Sequence, residues 1–151
     1  MQDDIVIRQA KAGDVVAIRD IAVAAYAPYV ADMPIPPRPL EIDYARQIDA
    51  GDTWAALTAG RLAGFVVFDT RAGFWIDNIA VDPALQARGI GSRLLDYAER
   101  QASARGFDRL RLYTPAIARK NRAWYAGHGY IEFDRRVDEG RDRVFLEKRL
   151  V

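Results

Sequence analysis

Two glycines fix the most consequential local structure in this chain. In Gln86-Ala87-Arg88-Gly89-Ile90-Gly91-Ser92 they lie between a strand-like run, residues 74–81, and a run with helical spacing. The helical run carries Ile90, Leu94, Ala98 and Ala102 on one side and continues to Gly106. A strand that turns into a helix exposes the first helical N–H groups, which have no intrahelical partner, at the positive end of the dipole. Such a start is a ready anion site. Gly89 and Gly91 have no side chains, so phosphate oxygens can approach the amides from Arg88 to Ser92, including that of Ile90. Gln86, Arg88 and Ser92 add side-chain donors. The same glycines also suit a plainer role, a tight turn with close helix packing. Two familiar phosphate loops fit poorly. The segment lacks the Gly-Lys-Ser/Thr of an NTPase loop, and a nicotinamide dinucleotide fold wants a third glycine where Leu94 stands. That fold also wants an acidic end to the next strand, which here ends Leu112-Tyr113-Thr114.

The rest of the chain supplies a frame for this loop. Residues 4–9 read as a first strand, with Ile5 and Ile7 on one face. Asp14 is placed to cap a helix carrying Val15, Ile18, Ala22, Ala25 and Tyr29. The prolines of residues 33–39 stop that helix and stiffen a loop. A short second helix follows with Leu40, Tyr44 and Ile48, ended by Gly51. Residues 53–58 and 62–69 flank Ala59-Gly60-Arg61, a hairpin signal. After the glycine loop come a strand at 109–113, a helix at about 118–126, and strands at 130–137 and 143–150 around Asp138-Glu139-Gly140. Three consecutive strands should be antiparallel neighbours, and the strand–helix–strand unit after them parallel and right-handed. The expected fold class is α+β: one mixed, mostly antiparallel sheet flanked by about four helices in a single domain, residues 1–151.

Composition removes several functions. The absence of cysteine excludes disulfides, thiolate metal sites and a cysteine acyl-enzyme, and one histidine, His128, excludes a multi-histidine metal site. The net charge is +1 and the basic residues form no single run, so no nucleic-acid partner is implied. Residues 1–8 do not read as a signal peptide, and no apolar run reaches the ~20 residues of a membrane span. The expectation is a soluble, cytoplasmic, metal-independent domain with no membrane partner.

Ile79-Ala80-Val81-Asp82-Pro83, then Gln86-x-x-Gly89-x-Gly91 and an amphipathic helix, resembles the central motif of the GNAT N-acetyltransferase superfamily, whose pattern is Gln/Arg-x-x-Gly-x-Gly/Ala. Asn121-x-x-x-Tyr125-x-x-x-Gly129-Tyr130 resembles a second element of that family, and the order of elements matches throughout. The resemblance implies a GNAT-like acyl-CoA N-acyltransferase fold with acetyl-CoA as acetyl donor. The amides and side chains of Gln86, Arg88, Gly89, Ile90, Gly91 and Ser92 would then hold its pyrophosphate.

The resemblance also implies that the strand carrying Ile79, Ala80 and Val81 splays from its parallel neighbour. The pantetheine arm would pair in the gap, and an N–H near Ile79 or Ala80 would donate to the thioester oxygen. It assigns Tyr125 to the departing thiolate, and Asn121, one turn earlier, to the pantetheine amide or, more plainly, to a helix cap. Asp77, on the same strand, is the leading candidate for a base; attraction of a cationic substrate and a plain salt bridge are the rival roles. Strict alternation puts Trp75, Asp77 and Ile79 on one face and Ile76, Asn78 and Ala80 on the other. The acceptor side falls to the first two helices and their loop. There Tyr26, Tyr29, Asp32 and Met33 stand with Glu41 and Arg38, the last suited to a carboxylate. Arg119, Lys120 and Arg122 are candidates for the adenosine phosphate, or a solvated helix face. The expected reaction is direct transfer to the primary amine of a small molecule, peptide or protein. A catalytically silent acetyl-CoA-binding module is the alternative. The last two strands are expected to line the pocket or to form a homodimer contact.

Overall fold

The computed structural model describes residues 4–150. Residues 1–3 and 151, with the parts of the single-domain and signal-peptide expectations that fall on them, lie outside the described residues. Seven strands form one sheet: β1 Ile5–Gln9, β2 Thr53–Thr58, β3 Arg61–Asp69, β4 Trp75–Val81, β5 Arg109–Pro115, β6 Ile131–Asp138 and β7 Arg141–Arg149, in the order β1-β2-β3-β4-β5-β7-β6. All pairs are antiparallel except β4 with β5, which a crossover through the helix Ile90–Ala104 joins. The turns Ala59-Gly60 and Glu139-Gly140 hold both central residues at positive φ, which closes a two-residue hairpin without splaying right-twisted strands.

Helices cover both faces. On one side α3, Ile90–Ala104, packs Ile90, Leu94, Leu95, Ala98 and Ala102 against Val66, Phe68, Leu110, Leu112 and Leu146. The next helix, α4, Arg119–Gly127, joins that core through Tyr125. On the other face, α1, Val15–Val30, and α2, Tyr44–Asp49, bury Ile18, Ile21, Ala22, Tyr44 and Ile48 on Phe65, Val67 and Ala80. The helical periodicity of these segments therefore faces a sheet in every case. No helix among the described residues is long and apolar enough to cross a membrane.

Three local expectations change. Asp14 does not cap α1. Its carboxylate turns back to the Lys11 amide at 2.7 Å and to Arg8 at 2.7 Å, because a 3-10 turn, Ala12–Asp14, precedes the helix. Leu40 is not part of α2 but ends a separate 3-10 turn, Arg38–Leu40; Asp43 caps α2 by accepting from the Arg46 amide at 3.1 Å. On β4 strict alternation fails. Val67 pairs with Asn78 and Phe68 with Ile76, so Asp77 is the extra residue of a β-bulge. The bulge turns Asp77 and Asn78 to the α1–α2 side, while Ile76 stays in the α3 core.

Candidate active site

The sheet opens where β4 meets β5. Their parallel pairing is confined to Trp75 with Arg111 and Ile76 with Leu112, yet the strands run on to Val81 and Pro115. Beyond the bulge they diverge. The β4 edge from Asn78 to Val81 keeps its partner in β3 and has none on the β5 side. A narrow cleft lies at the opening, with Tyr26, Arg38, Asp77, Asn78, Ile79 and Tyr125 among its walls. A second, wider and more open cleft adjoins it. Ile76, Asp77, Tyr113 and Arg143 form the wall common to both, and Trp75, Phe145 and Asp138 extend the second.

At the far end of β4 lies the glycine loop. Ala87 at φ 65° and Gly89 at φ 80° are both left-handed, which curls residues 86–89 into a concave turn before α3. The first helical amide to find a carbonyl is that of Arg93, which donates to Gly89 O at 3.0 Å; the amides of Ile90, Gly91 and Ser92 have no backbone acceptor among the described residues. The two glycines serve different ends. A Cβ on Gly89 would meet nothing within 4 Å, so only its backbone angle demands glycine. A Cβ on Gly91 would stand 3.2 Å from the Trp124 ring, so Gly91 lets α3 and α4 approach. The open amides and the packing role of Gly91 coexist. These free amides at a concave helix start fit a diphosphate. Ser92 is tied to His128, which bonds Ser92 Oγ at 3.1 Å through Nε2 and donates to Trp124 O at 2.8 Å through Nδ1. The carbonyl can only accept, so Nδ1 carries a proton.

Tyr125 projects from α4 into the first cleft. Its ring is 6% exposed, edge-on to Trp124 and Tyr130, and its hydroxyl has no hydrogen-bond partner among the described residues. Burial pushes that phenol above its ordinary pKa, so it stays protonated at neutral pH. Asn121 is the third residue of α4, half-buried and outside the lining of both clefts; Ala118 holds the cap position. Arg122 is committed to Glu132 and to Ala116 O at 2.9 Å, while Arg119 and Lys120 are exposed.

Asp77 is held on both oxygens. Arg38 Nη1 donates to Oδ1 at 2.7 Å and Gln47 Nε2 to Oδ2 at 2.8 Å; the same Arg38 nitrogen reaches the Tyr113 hydroxyl at 3.2 Å. This is the salt bridge that the sequence left open as a rival to the base. Beside it, Asn78 Nδ2 donates to the Tyr44 hydroxyl at 2.9 Å, and that hydroxyl donates to Pro39 O at 2.6 Å. On the acceptor side, Tyr26, Met33 and Arg38 line the first cleft, but Tyr29 and Asp32 line neither. Tyr26, a turn earlier in α1, occupies the wall. Glu41 pairs with Arg141 at 2.9 Å. Sequence reasoning missed Gln47 and Arg143 and placed Tyr44 only on a helix face; all three reach this wall from positions remote in the chain.

A sheet split between its two parallel strands, with bare amides at one end of the split and a free phenol in it, defines a GNAT-like acyl-CoA N-acyltransferase fold. The model of the Acetyltransferase (GNAT) family matches residues 15–130, and the chain belongs to that family. Solved structures agree. The PaiA N-acetyltransferase of Thermoplasma acidophilum, in complex with coenzyme A, superposes with a TM-score of 0.79 at 19% identity over 97% of this chain and 99% of that one. The ribosomal-protein-S18-alanine N-acetyltransferase of Escherichia coli gives 0.78 at 21% identity over 97% and 94%. A GCN5-related N-acetyltransferase of Rhodopseudomonas palustris gives 0.80 at 22% identity over 99% and 98%. No curated protein matches the sequence significantly.

Proposed function

We propose that this protein transfers the acetyl group of acetyl-CoA to a primary amine by direct attack in a ternary complex. The observation that carries the reading is the cleft between β4 and β5, which has Tyr125 in its wall and shares a wall with a second, open cleft. One opening suits a thioester arm and the other an acceptor, so neither has to leave before the other enters. The absence of cysteine agrees with a route that has no cysteine acyl-enzyme.

Acetyl-CoA supplies an activated thioester: the new C–N bond forms as the C–S bond breaks, the sulfur leaves as thiolate, and the proton given up by the neutral amine passes to solvent as the thiolate takes one up, so that an amide and the free coenzyme A thiol result. The amides of Ile90, Gly91 and Ser92, with Gln86, Arg88 and Gly89 around them, hold the diphosphate. The unpaired edge of β4 at Ile79, Ala80 and Val81 orients the arm, and an amide there donates to the carbonyl oxygen as negative charge grows. Tyr125 presents its hydroxyl to the sulfur, as hydrogen-bond donor or as proton source once the C–S bond lengthens. Asp77 positions Arg38 and, with it, the wall between the clefts; a carboxylate locked to a guanidinium is poorly placed to take a proton. The acceptor approaches past Arg38 and the proline-rich loop. Tyr29 and Asp32 shape the outer approach, and Asn121 meets the arm at the base of α4.

Release of coenzyme A thiol with a panel of amines tests the proposal. The wild type should turn over at least one class, and Tyr125→Phe should lower kcat by about tenfold or more with coenzyme A affinity intact. Binding of acetyl-CoA with no transfer to any amine would instead mark a silent binding module.

A further inference from the structure

Three buried side-chain atoms on or behind the cleft walls have no hydrogen-bond partner among the described residues: Gln47 Oε1, Asn78 Oδ1 and Arg143 Nη2. A buried polar atom left without a partner destabilises the fold, so orphans in and behind the cleft walls call for a reason. The orientation of the amides follows from their neighbours. A carboxylate only accepts, so Gln47 must turn its nitrogen to Asp77 and its oxygen away. The Tyr44 hydroxyl spends its proton on Pro39 O, so it can only accept from Asn78, and Asn78 must turn its oxygen away. Asn78 lines the first cleft, so a neutral acceptor with no donor among the described residues is buried in the wall of the acyl side.

Arg143 is the complement. It is 5% exposed, on β7, and lines both clefts. Its Nη1 donates to Asp138 at 3.1 Å and its guanidinium lies over the Tyr113 ring at 4.4 Å, while Nη2 donates to nothing. The other cations near the wall are committed. Arg38 holds Asp77 and Tyr113, Arg71 holds Asp69, and Arg141 is shared by Pro36 O, Glu41 and Glu139. An uncommitted guanidinium N–H asks for an anion, best a carboxylate, and an uncommitted amide oxygen asks for an N–H.

We propose that the acceptor is an amino acid-like molecule, an amine and a carboxylate on one small skeleton, with Asn78 Oδ1 receiving the amine N–H and Arg143 Nη2 the carboxylate. This rests on the acetyl-transfer reading above and narrows it. Asn78 and Arg143 are positioning residues: neither moves a proton. A protein amino terminus or a diamine offers the N–H alone and leaves Arg143 unmatched.

The test uses L-glutamate, L-methionine and L-phenylalanine, each beside its α-carboxamide and its decarboxylated amine. Binding to the coenzyme A-loaded protein is read by calorimetry, and turnover by thiol release. For at least one set the acid should be preferred over its carboxamide by about 10–100-fold in kcat/KM, the worth of a hydrogen bond to a charged group. Arg143→Lys, which keeps the charge and shortens the fork, should erase most of that preference through the acid's KM. A merely structural Arg143 would lower acid and carboxamide rates alike and leave the ratio standing, which overturns the assignment. Asn78→Ala should raise KM for every amine and leave coenzyme A affinity unchanged; weaker coenzyme A with unchanged amine KM overturns its part. Failure of all carboxylate-bearing members to bind, or equal use of acids and amines, overturns the proposal while leaving acetyl transfer intact. Failure to bind coenzyme A at all defeats the parent reading instead.

Discussion

Replacing Asp77 by asparagine separates the two roles open to this carboxylate. Both oxygens are engaged, Oδ1 by Arg38 at 2.7 Å and Oδ2 by Gln47 at 2.8 Å. An amide offers one oxygen, so one of these donors would face an NH₂ group, and Arg38 would lose its counter-charge. For a fully buried pair the loss is about 3–5 kcal/mol. Here the Arg38 side chain is 32% exposed and Asp77 12%, so solvent screens the pair, and about 2 kcal/mol is the working figure. In a chain of this size that lowers Tm by about 4–8 °C. Thermal unfolding by circular dichroism should show that shift. The pH profile of kcat/KM should keep its shape, with a loss smaller than about 100-fold. A fall of about 10²–10⁴-fold at unchanged Tm, together with a lost acidic limb, would refute the anchoring role and restore Asp77 as a base.

The glycine loop, the β6 anchor and the buried phenols give further expectations. Gly91→Ala should be nearly neutral in stability, because a Cβ 3.2 Å from Trp124 is offset by better helix propensity, whereas Gly91→Leu should cost about 1–3 kcal/mol in urea unfolding. Arg122→Ala removes the link from α4 to Glu132 and Ala116 O and should cost about 1 kcal/mol by the same measurement, with coenzyme A affinity unchanged. Burial raises the Tyr44, Tyr125 and Tyr130 hydroxyls in the folded state. A raised folded pKa gives stability that is complete below the unfolded value of about 10 and is lost as pH rises toward the folded values. Chemical unfolding free energies should therefore be flat with respect to these groups at neutral pH and fall above about pH 10.

Much of the frame was legible because it depends on local pattern. The apolar spacing of Ile90, Leu94, Ala98 and Ala102 matches the buried face of α3, and Ala59-Gly60 closes the hairpin that turn chemistry asks for. The Gln86–Gly91 spacing, together with the Asn121–Tyr130 element and the order of elements, pointed to the family that the family model then matched, because each motif is confined to a few residues. What escaped depends on pairing at a distance. The bulge at Asp77 arises from the register between β3 and β4 and leaves no mark in the Asp77-Asn78 pair itself. Arg38 and Gln47 meet Asp77 only after α1 and α2 fold over the sheet, 39 and 30 residues away in sequence. In sequence Arg143 is one of several basic residues of the last strand, and only its burial and its bare Nη2 set it apart. Asp14 shows the opposite error: a good capping residue was drawn away by Arg8 on β1.

Backbone amide chemical shifts during a coenzyme A titration probe the central claim most directly. The N–H groups of Ile90, Gly91 and Ser92, which lack backbone acceptors in the free protein, should move furthest, followed by those of Ile79, Ala80 and Val81 along the open edge of β4. Saturable binding that leaves the Ile90–Ser92 amides unmoved, or no binding at all, would contradict the account.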